Sequence, residues 1–164
     1  MDSKDLFHAS RHRYAPGERL VSAVRDELSV DRQESEDRLA KVAPSGMQSR
    51  LSARYASDSA NFAALYWSSE ARPGDERHLY RVRAATASRH PMALVDVAAR
   101  ERDEATFAAI AGEYWQPTRT WRCWEYLCSE IEILEKLPWP DAGLLAGASF
   151  AFGEDRAEAK RLRP

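Results

Sequence analysis

The sequence is short of the residues that build disulfide frameworks and zinc sites. Its 164 residues include only two cysteines. Cys123 and Cys128 are an odd number of positions apart in a strand-like segment, so their side chains are expected on opposite faces, which disfavours a disulfide between them. No Cys-x-x-Cys pair and no cysteine–histidine cluster with zinc spacing occurs. A disulfide-stapled domain and a zinc-finger type of metal site are therefore excluded.

Glycine is also scarce, and several well-known motifs are missing. The chain has no G-x-G-x-x-G, no G-x-x-x-x-G-K-[ST], no G-x-S-x-G and no H-E-x-x-H. With seven glycines in all, a glycine-rich phosphate-binding loop is not expected. A bound nucleotide would have to be held by side chains and by the backbone at strand ends.

Strong net charge and long apolar runs are absent as well. The formal net charge of −2 gives no overall field that would draw the protein onto nucleic acid or a membrane. No apolar run approaches membrane-spanning length, and the polar start leads into no apolar signal segment. A soluble cytoplasmic protein is expected, and delivery into another cell by a machine that needs no signal peptide stays open.

What the chain does contain is enough apolar residues for one substantial core, at 44% of the sequence. We expect residues 1–140 to form a single domain and residues 141–164 to form a terminal helix or tail. Periodicity predicts an α+β protein. The predicted strands cover 6–8, 20–21, 54–57, 78–84, 91–97 and 129–134, and the predicted helices run from residue 31 within the charged stretch 25–42, over 59–70 and over 100–115. Ser57 or Asp58 is the expected cap of the second helix.

The most unusual segment is Trp121–Leu134, which packs two tryptophans, a tyrosine, both cysteines and three carboxylates into one stretch. A carboxylate among aromatic rings is difficult to ionise unless a cation or a hydrogen-bond donor meets it. Glu125 is therefore the first candidate for chemistry. The alternative is that the rings are core and that Glu125 ends the strand or pairs with Arg119 or Arg122.

Three separated pieces at predicted strand ends share the order of a known family. They are His8 in Leu-Phe-His-Ala-Ser, Tyr55 in Arg-Tyr-Ala-Ser directly before an aromatic helix, and Glu125 in Trp-Glu-Tyr-Leu. Together they resemble the ADP-ribosyltransferase fold family, in its His-Tyr-Glu branch. The chain is similar to the small bacterial members typified by the rifamycin ADP-ribosyltransferases and to a related uncharacterised bacterial family, over about residues 6–135.

The chain also departs from that family's pattern. His8 is followed by Ala-Ser rather than Gly-Thr, and Glu125 stands where the rifamycin enzymes carry an aspartate. Glu130 and Glu132 compete with Glu125 for the third role, because Glu-Ile-Glu is similar to the paired glutamates of the arginine-modifying branch. That branch also uses a first-strand arginine and a Ser-Thr-Ser segment, and neither is evident.

The resemblance implies a split antiparallel β-sheet core with flanking helices and a substrate, NAD. The implied reaction cleaves the nicotinamide–ribose bond and transfers ADP-ribose to a protein, nucleic acid or small molecule. Glu125 would stabilise the developing cation, His8 would bind the adenosine-side ribose, Tyr55 would stack on nicotinamide, and Tyr66 or Phe62 would form the opposite wall.

Other interpretations remain open on the sequence. Water could be the acceptor, which would make the protein an NAD glycohydrolase. The fold could also be a non-catalytic module that binds a partner through the charged 25–42 helix, and the chain could be an unrelated α+β domain in which His8, Tyr55 and Tyr66 are ordinary structural residues. The sequence does not indicate an oligomeric state.

Overall fold

The computed structural model describes residues 5–21 and 30–164, with residues 30–32 described as backbone only. In these ranges the chain forms seven strands and five helices, which confirms the predicted α+β class. The strands are β1 (Leu6–Ser10), β2 (Arg19–Val21), β3 (Arg54–Ser57), β4 (His78–Ala84), β5 (Ala87–Pro91), β6 (Trp124–Cys128) and β7 (Glu130–Leu137). The helices are α1 (Val30–Lys41), α2 (Ala60–Glu70), α3 (Ala93–Arg100), α4 (Glu104–Trp115) and α5 (Ala142–Ala159). The polar start and the first part of the charged stretch, residues 1–4 and 22–29, lie outside the described residues.

The described strands form one antiparallel sheet in the order β2-β7-β4-β1-β3-β6-β5. Five residue pairs join β1 to β4, and four join β3 to β6. Between β1 and β3 there is a single pair, Phe7 with Ser57. We call this junction the β1–β3 seam. The sheet therefore consists of two well-paired parts that meet along a weakly paired line.

The two faces of the sheet carry separate cores, because successive side chains in a strand point to opposite sides. Tyr55 and Leu127 lie on the face that α3 and α4 cover, in a cluster with Leu94, Ile110 and other residues. Their chain neighbours on β3 and β6 lie in the second cluster, which is built on every strand except β5. It includes Leu6, Leu20, Ala56, Tyr80, Val82, Tyr126, Cys128, Ile131 and Ile133. The strand predicted for residues 78–84 is confirmed by β4, in which burial alternates from Tyr80 onward.

The start of α2 follows β3 almost directly, as predicted, but the cap was wrong by one residue. The Ser59 side chain accepts a hydrogen bond from the backbone N–H of Phe62 and caps the helix. Ser57 instead donates its hydroxyl proton to the carbonyl oxygen of Trp124, which ties β3 to β6. The short connection brings the helix back over the strand that precedes it.

Three other boundaries differ from the sequence predictions. The strand predicted at 91–97 was wrong, because β5 ends at Pro91 and Ala93–Arg100 forms α3. The helix predicted from residue 100 begins later, at Glu104, with Asp103 as its N-cap. The aromatic segment contains two strands, β6 and β7, with Ser129 between them, so Glu125 lies on a different strand from Glu130 and Glu132.

Residues 141–164 form a helix with a short end rather than a frayed tail. Asp155 of α5 is buried and accepts hydrogen bonds from the backbone N–H groups of Arg122 and Cys123, just before β6. Ala159 and Leu162 belong to the helix-covered core. Both cysteines are buried and free. No helix among the described residues combines the length and apolar character needed to cross a bilayer.

Candidate active site

A cleft of about 480 Å³ opens at the β1–β3 seam, with walls from β1, β3 and α2. His8, Tyr55, Tyr66 and Glu125, the four residues singled out from the sequence, all line it. Phe62, the sequence alternative to Tyr66, is not among the lining residues. The structure thus brings together residues that are far apart in the chain and come from three strands and one helix.

The two competing glutamates lie elsewhere, on β7. Glu130 pairs with Arg19 of β2 at 3.3 Å, and Glu132 pairs with Arg83 of β4 at 3.4 Å. Both are partly exposed ion pairs between neighbouring strands, and neither glutamate lines the cleft. Of the three glutamates in the aromatic segment, Glu125 is the one placed at the cleft.

Two tyrosine rings stack at the cleft. Tyr55 on β3 and Tyr66 on α2 have ring centroids 6.1 Å apart and planes inclined by 18°. The Ser59 cap positions Tyr66 here, because it starts α2 immediately after β3 and leaves two helical turns to return over the strand. The Tyr55 ring is further fixed by its hydroxyl, which donates to the Arg50 carbonyl oxygen at 2.8 Å. The pair forms a flat aromatic surface, and the backbone hydrogen bond holds its Tyr55 ring in place.

His8 contacts the same strand from the other side of the seam. Its Nδ1 lies 2.6 Å from the carbonyl oxygen of Tyr55. A carbonyl oxygen only accepts, so Nδ1 carries the proton, and in the neutral ring Nε2 is the acceptor. This contact spans the weakly paired seam and sets the tautomer of a half-buried imidazole in the cleft.

Glu125 is almost completely buried, at 1% exposure, and belongs to a charged cluster. Arg50 Nη1 donates to Glu125 Oε1, and the Tyr114 hydroxyl donates to the same oxygen at 2.5 Å. The guanidinium also binds Glu36 through Nε at 2.6 Å and Nη2 at 2.9 Å. Glu125 Oε2 is buried and has no hydrogen-bond partner among the described residues. We call Glu36, Arg50, Tyr114 and Glu125 the Arg50 cluster.

The electrostatics of the Arg50 cluster are unusual for a protein interior. Its four residues include two carboxylates and one guanidinium, whose formal charges sum to −1. Burial by itself lowers the pKa of Arg50, but the charge of Glu125 and the other neighbours outweigh it, and the pKa is raised well above the ordinary value. Burial also raises the pKa of Tyr114 well above that of a free phenol. The guanidinium is therefore charged and the phenol protonated at any physiological pH.

The sequence did not identify Arg50, Glu36 or Tyr114. Arg50 is separated by 14 residues from Glu36 and by 75 from Glu125, and it lies in a polar turn with no local pattern. The sequence contains one indication that such partners exist, because a carboxylate such as Glu125 among aromatic residues needs a cation or a hydrogen-bond donor. The sequence candidates for that role were Arg119 and Arg122, but they pair with Glu158 and Glu154 at the surface.

Basic side chains are concentrated along the rest of the cleft. Its lining includes Arg11, Arg54, Arg72 and His12, in addition to His8. Within the described ranges, the ion pair of Arg11 is a long one with Asp75, at 3.8 Å. The lining also includes two carboxylates, Glu70 and Glu125, so arginines outnumber acids. This balance suits a ligand with phosphate groups, because guanidinium groups bind phosphate oxygens well.

The chain matches no protein-family model, and a search of curated proteins finds no match either. The resemblance to ADP-ribosyltransferases therefore rests on the sequence motifs alone.

Proposed function

We propose that this protein binds NAD in the cleft, cleaves the bond between nicotinamide and ribose, and transfers ADP-ribose to an acceptor. The observation that carries the proposal is the meeting of His8, Tyr55, Tyr66 and Glu125 in one cleft, next to a buried cluster with excess negative charge. The single-pair seam between β1 and β3 is consistent with the split sheet of the ADP-ribosyltransferase fold.

The tyrosine pair suits the nicotinamide ring of NAD, which is flat and positively charged. Such a ring gains contact area and a cation–π attraction from tyrosine faces. Insertion between two parallel rings needs about 7 Å between their centroids, because each carbon–carbon contact takes about 3.5 Å. The observed 6.1 Å therefore requires Tyr66 to move away from Tyr55 by about 1 Å.

His8 and the arginines suit the other half of the dinucleotide. With its proton on Nδ1, His8 presents Nε2 as an acceptor for a ribose hydroxyl. Arg11 and Arg72 lie along the same cleft and carry the positive charge that a pyrophosphate needs. These contacts would fix the pose of NAD while the nicotinamide end reaches Glu125.

Glu125 is the residue we assign to catalysis. As the glycosidic bond breaks, its electron pair leaves with the nicotinamide nitrogen, which becomes neutral, and positive charge develops on the ribose. The acceptor nucleophile then bonds to the ribose carbon and loses a proton. A carboxylate with one oxygen lacking a hydrogen-bond partner can accept from a ribose hydroxyl and stabilise that charge. The excess negative charge of the Arg50 cluster acts in the same direction.

Substitution Glu125→Gln tests this assignment. The amide keeps the size of the side chain but removes its charge, so nicotinamide release from NAD should fall by about 100-fold or more. The rise in melting temperature with millimolar NAD should persist, because His8 and the tyrosines remain. Nicotinamide can be followed by chromatography and the melting temperature by fluorescence.

The matched control is Glu132→Gln, which removes a glutamate from the same aromatic segment but outside the cleft. Its nicotinamide release should equal that of the wild type. Unchanged release by Glu125→Gln, or a wild-type melting temperature that NAD does not move, contradicts the proposal. Labelled NAD in a host lysate would identify the class of acceptor, and free ADP-ribose as the sole product would mean that water is the acceptor.

One observation favours a second function, a module that binds NAD without cleaving it. The Glu125 side chain is 2% exposed and already ion-paired, as a purely structural glutamate would be. The same assays separate the two functions, because a binding module would gain melting temperature with NAD and release no nicotinamide.

A further inference from the structure

The two oxygens of the Glu125 carboxylate have very different surroundings. Oε1 accepts from both Arg50 and the Tyr114 hydroxyl, whereas Oε2 accepts from no described residue although it is buried. A buried carboxylate oxygen without a donor is unfavourable, so the fold must hold Glu125 in this orientation through its other oxygen. Both donors act on that one oxygen.

Tyr114 is held firmly enough to fix that orientation. The His90 ring stacks on the Tyr114 ring at 4.8 Å with an angle of 23°, and His90 Nδ1 donates to the Tyr114 carbonyl oxygen at 2.9 Å. Ser88 is 2.8 Å from the remaining ring nitrogen and donates to it. Burial lowers the pKa of His90, so the ring is neutral and can accept that bond. The phenol therefore has little freedom to turn away from Glu125.

Arg50 is fixed in a similar way. Its guanidinium is fully buried and binds Glu36 through two hydrogen bonds, in a planar geometry that defines its orientation. Its remaining nitrogen, Nη1, contacts the Tyr114 hydroxyl and Glu125 Oε1. Neither Arg50 nor Tyr114 nor Glu36 lines the cleft. Tyr114 reaches the cleft through Glu125, whereas Arg50 also contacts Tyr55, whose ring centroid lies 5.2 Å from the guanidinium carbon.

We propose that Tyr114 and Arg50 are positioning residues, which grip Glu125 by Oε1 so that Oε2 is left to the ribose of the substrate. This inference rests on the proposed function, because it assigns the reacting oxygen of the same glutamate. Glu36 completes the arrangement by anchoring Arg50 and by adding the negative charge that leaves the cluster anionic. The role is distinct from NAD binding, which the tyrosine pair, His8 and the cleft arginines perform.

The decisive variant is Tyr114→Phe. It removes one hydroxyl, leaves the ring in its stack with His90, and takes one charge-assisted hydrogen bond from Glu125 Oε1. We expect kcat for nicotinamide release to fall about tenfold, with the KM for NAD within about twofold of the wild type. If the role of Tyr114 were purely structural, the variant would not show a lower kcat together with an unchanged KM.

Tyr126→Phe is the matched control. Tyr126 is also buried, is the neighbour of Glu125 on β6, and donates its hydroxyl to a carboxylate, Asp58, at 3.4 Å. It faces the opposite side of the sheet and does not line the cleft. Its kcat should equal that of the wild type.

Glu36→Gln provides a second, independent variant. It neutralises the cluster without touching Glu125 or the cleft, so kcat should fall while KM stays constant. Wild-type kcat in both Tyr114→Phe and Glu36→Gln overturns the positioning role and leaves the proposed function intact. A wild-type protein that releases no nicotinamide overturns the catalytic function and this inference together, so the two failures are distinguishable.

Discussion

Tyr66 is the cleft residue whose contribution is easiest to isolate. It is half-buried on α2, and its ring stacks on Tyr55 without a role in the Arg50 cluster. Tyr66→Ala removes one face of the aromatic pair, and stacking of a flat ring on an aromatic side chain contributes about 1–3 kcal/mol. The KM for NAD should therefore rise about tenfold or more, with a smaller change in kcat. Steady-state nicotinamide release measures both parameters.

Tyr66→Phe serves as the control for that substitution, because it keeps the ring and removes only the hydroxyl. Its KM should stay within about twofold of the wild-type value. If Ala and Phe at this position raised KM equally, the stacking role of Tyr66 would be wrong and the hydroxyl would be the important group.

Some residues of the candidate site could be predicted from the sequence and others could not. His8, Tyr55 and Glu125 were singled out because each lies at the end of a predicted strand, and because their order along the chain resembles that of a known family. The Arg50 cluster was not found, because a buried arginine in a polar turn is defined by partners up to 75 residues away. Local sequence patterns carry no information about such distant pairs. The lack of a hydrogen-bond partner for Glu125 Oε2 could not be predicted either, because it depends on the orientation of the side chain in the folded protein.

Among the helices and strands, the connection from α4 to β6 depends on one glutamate near the end of α4. Glu113 accepts from the backbone N–H groups of Thr118 and Arg119, the Thr118 hydroxyl and the Trp121 indole, at 2.8–3.0 Å. Burial alone would raise the pKa of Glu113, but the hydrogen bonds from Trp121, Arg119 and Thr118 outweigh it and lower that pKa. The ionised side chain thus holds the loop that leads to Glu125.

Glu113→Gln should lower the free energy of unfolding by about 1–3 kcal/mol near neutral pH. The folded protein holds the Glu113 proton less tightly than the unfolded chain, so the charge stabilises the fold above the ordinary glutamate pKa. That stabilisation is lost as the pH falls through the lowered pKa of the folded state. The difference between wild type and variant should be constant above about pH 5 and narrow below about pH 4. Urea unfolding across this range measures it.

Glu154→Gln is the comparison for Glu113→Gln, because Glu154 forms a partly exposed ion pair with Arg122 at 2.7 Å. Exposed pairs contribute about 0–1 kcal/mol, so this variant should remain close to the wild type throughout the pH range. A Glu113→Gln difference that does not change with pH would contradict the role of the charge.

The elements that the sequence predicted well have a clear local pattern, which is alternation in one case and a run of mixed charges with opposite signs four residues apart in the other. Residues 78–84 alternate cleanly and form β4, and the charged stretch after residue 30 forms α1. Residues 91–97 were predicted as a strand because a short apolar run has no period that separates a buried strand from a buried helix. Pro91 ends β5, and residues 93–97 form the start of α3, whose Ala93, Leu94, Val95 and Ala98 are buried. Packing in the folded protein, which the local sequence does not reveal, makes this segment a helix.

For the molecule as a whole, α5 is part of the folded core. Ala159 and Leu162 lie in the helix-covered cluster, and Asp155 receives the two backbone N–H groups that precede β6. A chain ended after residue 140 loses these contacts and exposes the surfaces of α2 and α3 that α5 covers. It should unfold without a cooperative transition, as measured by circular dichroism in urea.

A chain that lacks only residues 163–164 is the corresponding control. Both residues are exposed, so its unfolding midpoint should match that of the full chain. A chain ended after residue 140 with the full-length midpoint would show that residues 141–164 are dispensable for folding.

The β1–β3 seam has a mechanical consequence. A sheet resists deformation in proportion to the ladder that must be broken, and here a single pair spans the line along which the cleft runs, while β1 keeps all five pairs to β4. The part of the sheet that contains β1 and β4 and the part that contains β3 and β6 are therefore each rigid, and the sheet bends most easily at the β1–β3 seam between them. A bound ligand can therefore widen the cleft by bending the sheet along this seam without unwinding any strand.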